Sequence, residues 1–146
     1  MNLIDIGIHK LELEPPDLAI TRVGGEVSVG DARAMAEALV AFAMGSDLFL
    51  LGYLDSPEAA VMSASARKAF IDGLRDVHLV GVAAVGGDFK ARLLTRLVEA
   101  ALRLLSRRPI RMRFFDDEPS ARAWLRDQGC VACGATSVPD RSSRSS

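Results

Sequence analysis

Residues 48–74 read LFLLGYLDSPEAAVMSASARKAFIDGL, and three kinds of patterning follow one another within them. Leu48-Phe49-Leu50-Leu51 is a short continuous apolar run, the pattern of a strand covered on both faces. Asp55-Ser56-Pro57 interrupts it with turn-forming residues. Ser63-Ala64-Ser65 then opens a helical stretch in which Ala66, Phe70 and Leu74 recur four apart on one face. A buried strand that ends in a polar loop and a helix start sets exposed hydroxyls beside unpaired backbone N–H groups. This corner is the expected working surface of the chain, with the rest as its scaffold.

Working outward toward the N-terminus, His9 to Glu14 (HKLELE) alternates apolar and polar residues as a half-buried strand does. Pro15-Pro16-Asp17 turns the chain, and neither proline has an N–H to donate to a ladder. Leu18 to Val27 (LAITRVGGEV) reads as a second strand, antiparallel to the first, in which Gly24-Gly25 implies a bulge or a close backbone approach. Ser28, with Asp31 three residues later, has the spacing of a capping box and starts a helix. Its apolar stripe is Met35, Ala36, Leu39, Val40 and Ala43, and Gly45 stops it.

Toward the C-terminus, Val77 to Val85 (VHLVGVAAV) is a second near-continuous apolar strand. Gly86-Gly87-Asp88 turns it into a long helix reaching about Arg107. Leu93, Leu94, Leu97, Val98, Ala101, Leu104 and Leu105 form its apolar face, and Arg92, Arg96, Arg103 and Arg107 fall on the opposite arc. Arg108-Pro109 ends it. Ile110 to Phe115 alternates cleanly and reads as an edge strand. Asp116-Asp117-Glu118-Pro119 opens a last helix, with acids at the positive end of its dipole. Ala121, Trp124 and Leu125 dock this helix and Gly129 ends it. The expected fold is therefore α/β: a single-layer, mixed, mostly parallel sheet of about five strands with four helices. The domain is expected over residues 1–129. Residues 130–146, ending in the polar run PDRSSRSS, are expected to be a disordered tail.

Composition narrows the function. The 146 residues suit one domain; 49% are hydrophobic and only 5% aromatic, so the core must be built from Leu, Val, Ile and Ala. A net charge of -1 gives no global bias toward nucleic acid. No apolar run is long enough to cross a bilayer, and Met1 to Asp5 shows no basic segment followed by an apolar one. The expected location is cytoplasmic. Cys130 and Cys133 have C-x-x-C spacing, but His9 and His78 do not complete a zinc pattern. The pair also sits far from the early strand-to-helix position of a thioredoxin-like site. Two structural thiols, with no metal and no cofactor, are expected. No triad, paired-carboxylate or nucleophile-elbow pattern stands out, so a non-enzyme is expected.

The element order resembles the STAS domain: the anti-sigma-factor antagonists and the broader SpoIIAA-like (STAS/SEC14-like) group. The likeness spans roughly Lys10 to Leu125. It rests on Glu12 to Leu18, Val61 to Ala66, Gly81 to Gly86 before a helix, and Arg113 to Glu118 leading to Ala123-Trp124-Leu125. In the anti-sigma antagonists the strand-to-helix corner carries Asp-Ser-Ser-Gly, and a kinase phosphorylates a serine there to control partner binding. That motif falls here on Ser63-Ala64-Ser65-Ala66, of which Ser65 matches. The resemblance thus implies a bacterial-type regulatory module that binds protein. Ser65 and Ser63 are its phosphorylation or contact residues, with Asp55 and Arg67 beside them.

Two further readings stand next to this one. Phe49, Met62, Phe70 and Phe89 are candidates to line a pocket for a small apolar ligand or lipid. The edge strand and the long helix's apolar face are candidates for self-association into a dimer. Arg92, Arg96, Arg103 and Arg107 form the main basic surface, suited to an acidic protein or a lipid headgroup surface and lacking the interleaved aromatics of a nucleic-acid site.

Overall fold

The computed structural model describes residues 2–53, 63–86, 92, 93, 96, 97, 100 and 111–134. The expectations placed on Asp55, Met62, Phe89, Arg103 and Arg107 lie outside them. Six strands form one sheet in the order β1 to β6: Asn2–Ile6, His9–Glu14, Leu18–Arg22, Asp47–Tyr53, His78–Val85 and Arg111–Phe115. The first two pairings are antiparallel and the next three, β3 to β6, are parallel. Three helices complete the labelled elements: α1 (Val29–Ala43), α2 (Ala64–Gly73) and α3 (Glu118–Asp127). Arg92, Leu93, Arg96, Leu97 and Ala100 belong to a further helical stretch between β5 and β6.

The sheet has one strand more than the five expected. β1 pairs in register with β2, from Asn2 opposite Leu13 to Ile6 opposite His9, through the two-residue turn Gly7-Ile8. Glycine leads that turn with φ 62°, a conformation that suits glycine at the first position of a tight hairpin. The strand expected over Leu18 to Val27 ends at Arg22. The close approach expected at Gly24 is present: a Cβ there would lie 2.6 Å from the Ile8 carbonyl oxygen. The Gly24 N–H leaves the ladder and donates to His9 Nδ1 at 3.1 Å, so the chain turns away from β2.

Successive parallel strands advance in one direction, which brings the crossover helices α1 and α2 to one face of the sheet. There Met35, Leu39, Ile71 and Leu74 pack on Leu11, Leu13, Ala19, Leu48, Leu50 and Leu79. The alternate residues Leu18, Ile20, Phe49, Leu51, Ala83 and Val85 face the other way, against Ala121 and Leu125 of α3. Both faces of β4 are therefore covered, as its continuous apolar run requires.

The helix starts follow their capping chemistry. Ser28 accepts from the Asp31 N–H at 3.0 Å, and Asp117 from the Ser120 N–H at 2.8 Å. The second bond holds the Asp117 carboxyl below the usual carboxylate range.

The structure departs from expectation in two other places. The packed chain runs past Gly129, because Cys130 is buried and so are Ala132 and Cys133 in the helical turn that follows over residues 131–134. In the stretch before β6, Leu93 and Leu97 of the expected apolar face are 48% and 53% exposed. The guanidinium groups of Arg92 and Arg96 lie 5.1 and 5.0 Å from the Phe114 ring centroid. Helical periodicity identifies two unlike faces, and here the planar guanidinium groups take the place on the aromatic ring.

Candidate interaction site at the β4–α2 corner

The parallel strands end together. Arg22, Tyr53, Val85 and Phe115 are register neighbours in the last row of β3, β4, β5 and β6. α3 begins just past β6 at this edge of the sheet, and the chain leaves β4 here for α2. This is the carboxyl-terminal edge of the parallel strands.

At the start of α2, Ser63 is the N-cap and its Oγ accepts from the Ala66 N–H at 3.1 Å. Ala66 itself is fully buried against Val27 and Ala32, which anchors the first turn to the start of α1. Ser63, Ala64 and Ser65 are exposed as a result. Ser65 stands at the second helical position, where backbone N–H groups and the helix dipole favour an added negative charge. Arg67 is half-buried one turn into the helix. Ser63 thus has a structural task that Ser65 does not. Ser63→Ala is expected to lower stability by about 1 kcal/mol, and Ser65→Ala to leave it within a few tenths. Urea denaturation of the two variants checks this, and equal effects would contradict the assignment of the cap.

Next to the corner lies a polar network that sequence reasoning did not assemble. The Tyr53 hydroxyl donates to Glu118 Oε1 through a short bond. Arg122 Nε donates to Glu118 Oε2 at 2.6 Å, and the Arg122 fork reaches both oxygens of Glu14 at 3.0 and 2.8 Å. On the other side of Tyr53, the Arg22 guanidinium sits 4.1 Å from the ring centroid and donates to Glu12 at 3.3 Å. Only the Glu118–Arg122 pair has a local signature, four residues apart on one helix. Glu14 is 108 residues from Arg122, and nothing in a single sequence links them.

The electrostatics fit a bound, paired network. The Glu14 carboxylate, followed by Glu118, raises the Arg122 guanidinium further above its ordinary value against the opposing effect of burial. Burial works to raise the Glu118 carboxyl, but the Tyr53 hydroxyl and Arg122 outweigh it and hold it low. Burial and the Glu118 carboxylate push Tyr53 up from 10.0 to about 12. The Tyr53 contribution to stability is then complete below pH 10 and is lost as pH rises toward about 12, because the unfolded chain ionises first. Tyr53→Phe is expected to be about 1 kcal/mol less stable than wild type at neutral pH, with solvent screening of this half-exposed group allowed for. The gap between the two proteins should close across that alkaline window. Urea midpoints at neutral and alkaline pH test it, and a constant gap would remove the linkage.

The other expected site residues are dispersed. Phe49 is 2% exposed in the cluster under α3, whereas Phe70 is half-buried against the α1–α2 side, so the two lie on opposite faces of the sheet. Arg92 donates to the Gly86 carbonyl at 3.1 Å and lies 3.7 Å from Asp116. His9 is buried between the Gly24 N–H and Asp31, 3.3 Å away, and His78 is paired with Asp47. Both cysteines are free thiols. Among the described residues no group of three or more metal-ligating side chains is close enough to hold an ion. No described helix is long and apolar enough to cross a membrane. Comparison of the chain with protein-family models, curated proteins and solved structures found no match in any of the three.

Proposed function

We propose that this chain is a non-catalytic, cytoplasmic regulatory module of the STAS/SpoIIAA-like kind that binds a protein partner through the β4–α2 corner. The observation that carries the reading is the start of α2. Ser63, Ala64 and Ser65 are exposed on a first turn whose next residue, Ala66, is completely buried. A surface fixed in this way meets a partner with little ordering cost. It lies at the carboxyl-terminal edge of the parallel strands. The Tyr53–Glu118–Arg122 network supports the same reading, because its acids are each answered by a donor and serve to hold α3 on the sheet. Phosphate on Ser65 would sit at the helix N-terminus and add charge to the middle of the contact surface.

The test is comparative capture from the native host with wild-type, Ser65→Arg and Ser65→Glu proteins as bait, quantified by mass spectrometry. Both substitutions lie on an exposed position and are expected to shift stability by no more than about 0.3–1 kcal/mol, Ser65→Glu upward and Ser65→Arg downward. At least one protein captured by wild type should be depleted roughly tenfold by Ser65→Arg, the loss expected when a contact residue is replaced by a bulky charge. Identical capture by all three proteins would refute the corner as the contact surface.

A further inference from the structure

Cys130 and Cys133 take no part in the contact surface proposed above. Both are free thiols, and both are buried in the cluster that holds Leu18, Ile20 and Leu125. The backbone that carries them is fixed at two points. The Cys130 N–H donates to the Leu125 carbonyl at 3.0 Å, and the Cys130 carbonyl accepts from the Gly134 N–H at 3.4 Å, which closes a helical turn. Helical rise and radius set Cα atoms three residues apart at about 5 Å. A disulfide joins residues whose Cα atoms are roughly 4.4–6.8 Å apart, so this turn can hold the bond with little backbone movement. Val131, between the two cysteines, is 58% exposed. The turn is therefore at the surface, and opening it alone admits a small reagent.

The surroundings treat the two sulfurs differently. The Cys130 thiol faces Asp17 Oδ1 at 3.6 Å, a carboxylate that disfavours a second negative charge beside it. Cys130 lowers the Cys133 thiol from its ordinary value, and against burial the Arg122 guanidinium lowers it further. One sulfur is thus the better thiolate and its neighbour stays protonated, the pairing that thiol–disulfide exchange uses. We propose that Cys130 and Cys133 form a reversible dithiol–disulfide site whose substrate is a low-molecular-weight disulfide. The Cys133 thiolate attacks one sulfur of that disulfide, its S–S bond breaks, and one half leaves as a thiol. The Cys130 sulfur then attacks the Cys133 sulfur of the mixed disulfide, and the second half leaves. The protein dithiol loses two electrons, the small disulfide is reduced to two thiols, and the protons of Cys130 and Cys133 end on them.

The test is incubation of the reduced full chain with excess glutathione disulfide in buffer without denaturant. The reaction is quenched with acid, and the protein is then alkylated in denaturant and weighed by mass spectrometry. Wild-type protein should become a species about 2 Da lighter that carries no glutathione and takes up no alkylating reagent. Dithiothreitol should return it to the dithiol, and the oxidised protein should keep a single cooperative thermal transition. Cys130→Ser lacks the second thiol and should stop at a stable glutathione adduct on Cys133. Cys133→Ser should form its adduct on Cys130 at least roughly tenfold more slowly, because the better thiolate is gone. Wild-type protein alone can overturn the proposal, whether or not the serine variants fold. No oxidation without denaturant, a glutathione adduct that persists, a disulfide between two chains, or loss of the thermal transition on oxidation would each do so. Adducts forming equally fast in the two serine variants would overturn the assigned order of attack.

Discussion

Phe49→Ala is expected to cost about 3–5 kcal/mol of folding stability. The side chain is 2% exposed and lies among Leu18, Leu51, Ala83 and Leu125, between the sheet and α3. Its ring borders two positions without side chains. A Cβ at Gly81 would lie 3.4 Å from Phe49 Cδ1, and one at Gly129 would lie 3.7 Å from Cζ. Glycine on the neighbouring strand thus leaves room for the ring. With the ring gone, Gly81 has no side chain to move into the space. The walls on either side are backbone held by the β3–β4 and β4–β5 ladders, so the cavity cannot collapse cheaply. The cost should appear in urea denaturation as a lower midpoint at unchanged slope. Phe70→Ala removes a half-buried ring on the opposite face and should cost clearly less. A loss below about 1 kcal/mol at Phe49 would mean that the ring does not fill core space.

How far this arrangement can be read from the chain alone depends on the range of the interactions. β4, β5, α1, α2 and α3 were legible because each has a local cause: a continuous apolar run, a serine or aspartate cap, a helical stripe. The helix starts at Ser63-Ala64-Ser65 and at Asp116-Asp117-Glu118-Pro119 are readable in the same way, and the structure gives the caps to Ser63 and Asp117. β1 has a weak local signature although Leu3 to Ile6 is followed by Gly7, which is turn chemistry. Only five residues long and with an exposed Leu3, it gives little periodic signal. The second strand was read too long because Val23 and Val27 look like strand residues, whereas the close approach of Gly24 to Ile8 takes the chain off the ladder.

Within the candidate site, Ser63 and Ser65 were legible because a helix start is local. Tyr53, Glu14 and Arg122 were not, since each finds its partner across the sheet. In the helical stretch before β6, the cation–π contacts of Arg92 and Arg96 with Phe114 join separate elements, and no local pattern signals them.

Cys130 and Cys133, expected at the start of a tail, are instead held by a residue that the sequence presents as part of a turn. Asp17 follows Pro15-Pro16 and is buried. Its Oδ2 accepts from the Val131 N–H at 2.8 Å, and its Oδ1 from the Ala132 N–H at 3.0 Å and from the Cys130 thiol at 3.6 Å. Its backbone carbonyl accepts from the Phe49 N–H at 2.8 Å, so the same residue ties both β4 and the C-terminal turn to the β2–β3 connection. Asp17→Ala leaves two backbone donors without their carboxylate, and hydrogen bonds to a charged acceptor contribute about 1.5–3 kcal/mol each. A loss of about 3 kcal/mol or more is expected. Asp17→Asn keeps the shape but turns a donor toward one of the N–H groups, and should lose about 2 kcal/mol.

The thiols supply a local readout of this anchor. The neighbouring Cys133 sulfur raises Cys130, with burial adding to the effect, and Cys130 lowers Cys133, so the first proton leaves Cys133. In the wild type both cysteines are 2% exposed, and labelling by an aromatic disulfide reagent must wait for an opening of the chain. If Asp17 is the latch of the last turn, Asp17→Ala should accelerate labelling by more than its loss of global stability accounts for, because the turn then opens on its own. Phe49→Ala, which weakens the whole core, should accelerate labelling only in proportion to global unfolding. Equal dependence of labelling on global stability in the two variants would show that the turn unfolds only with the rest of the protein, and that Asp17 does not hold it separately.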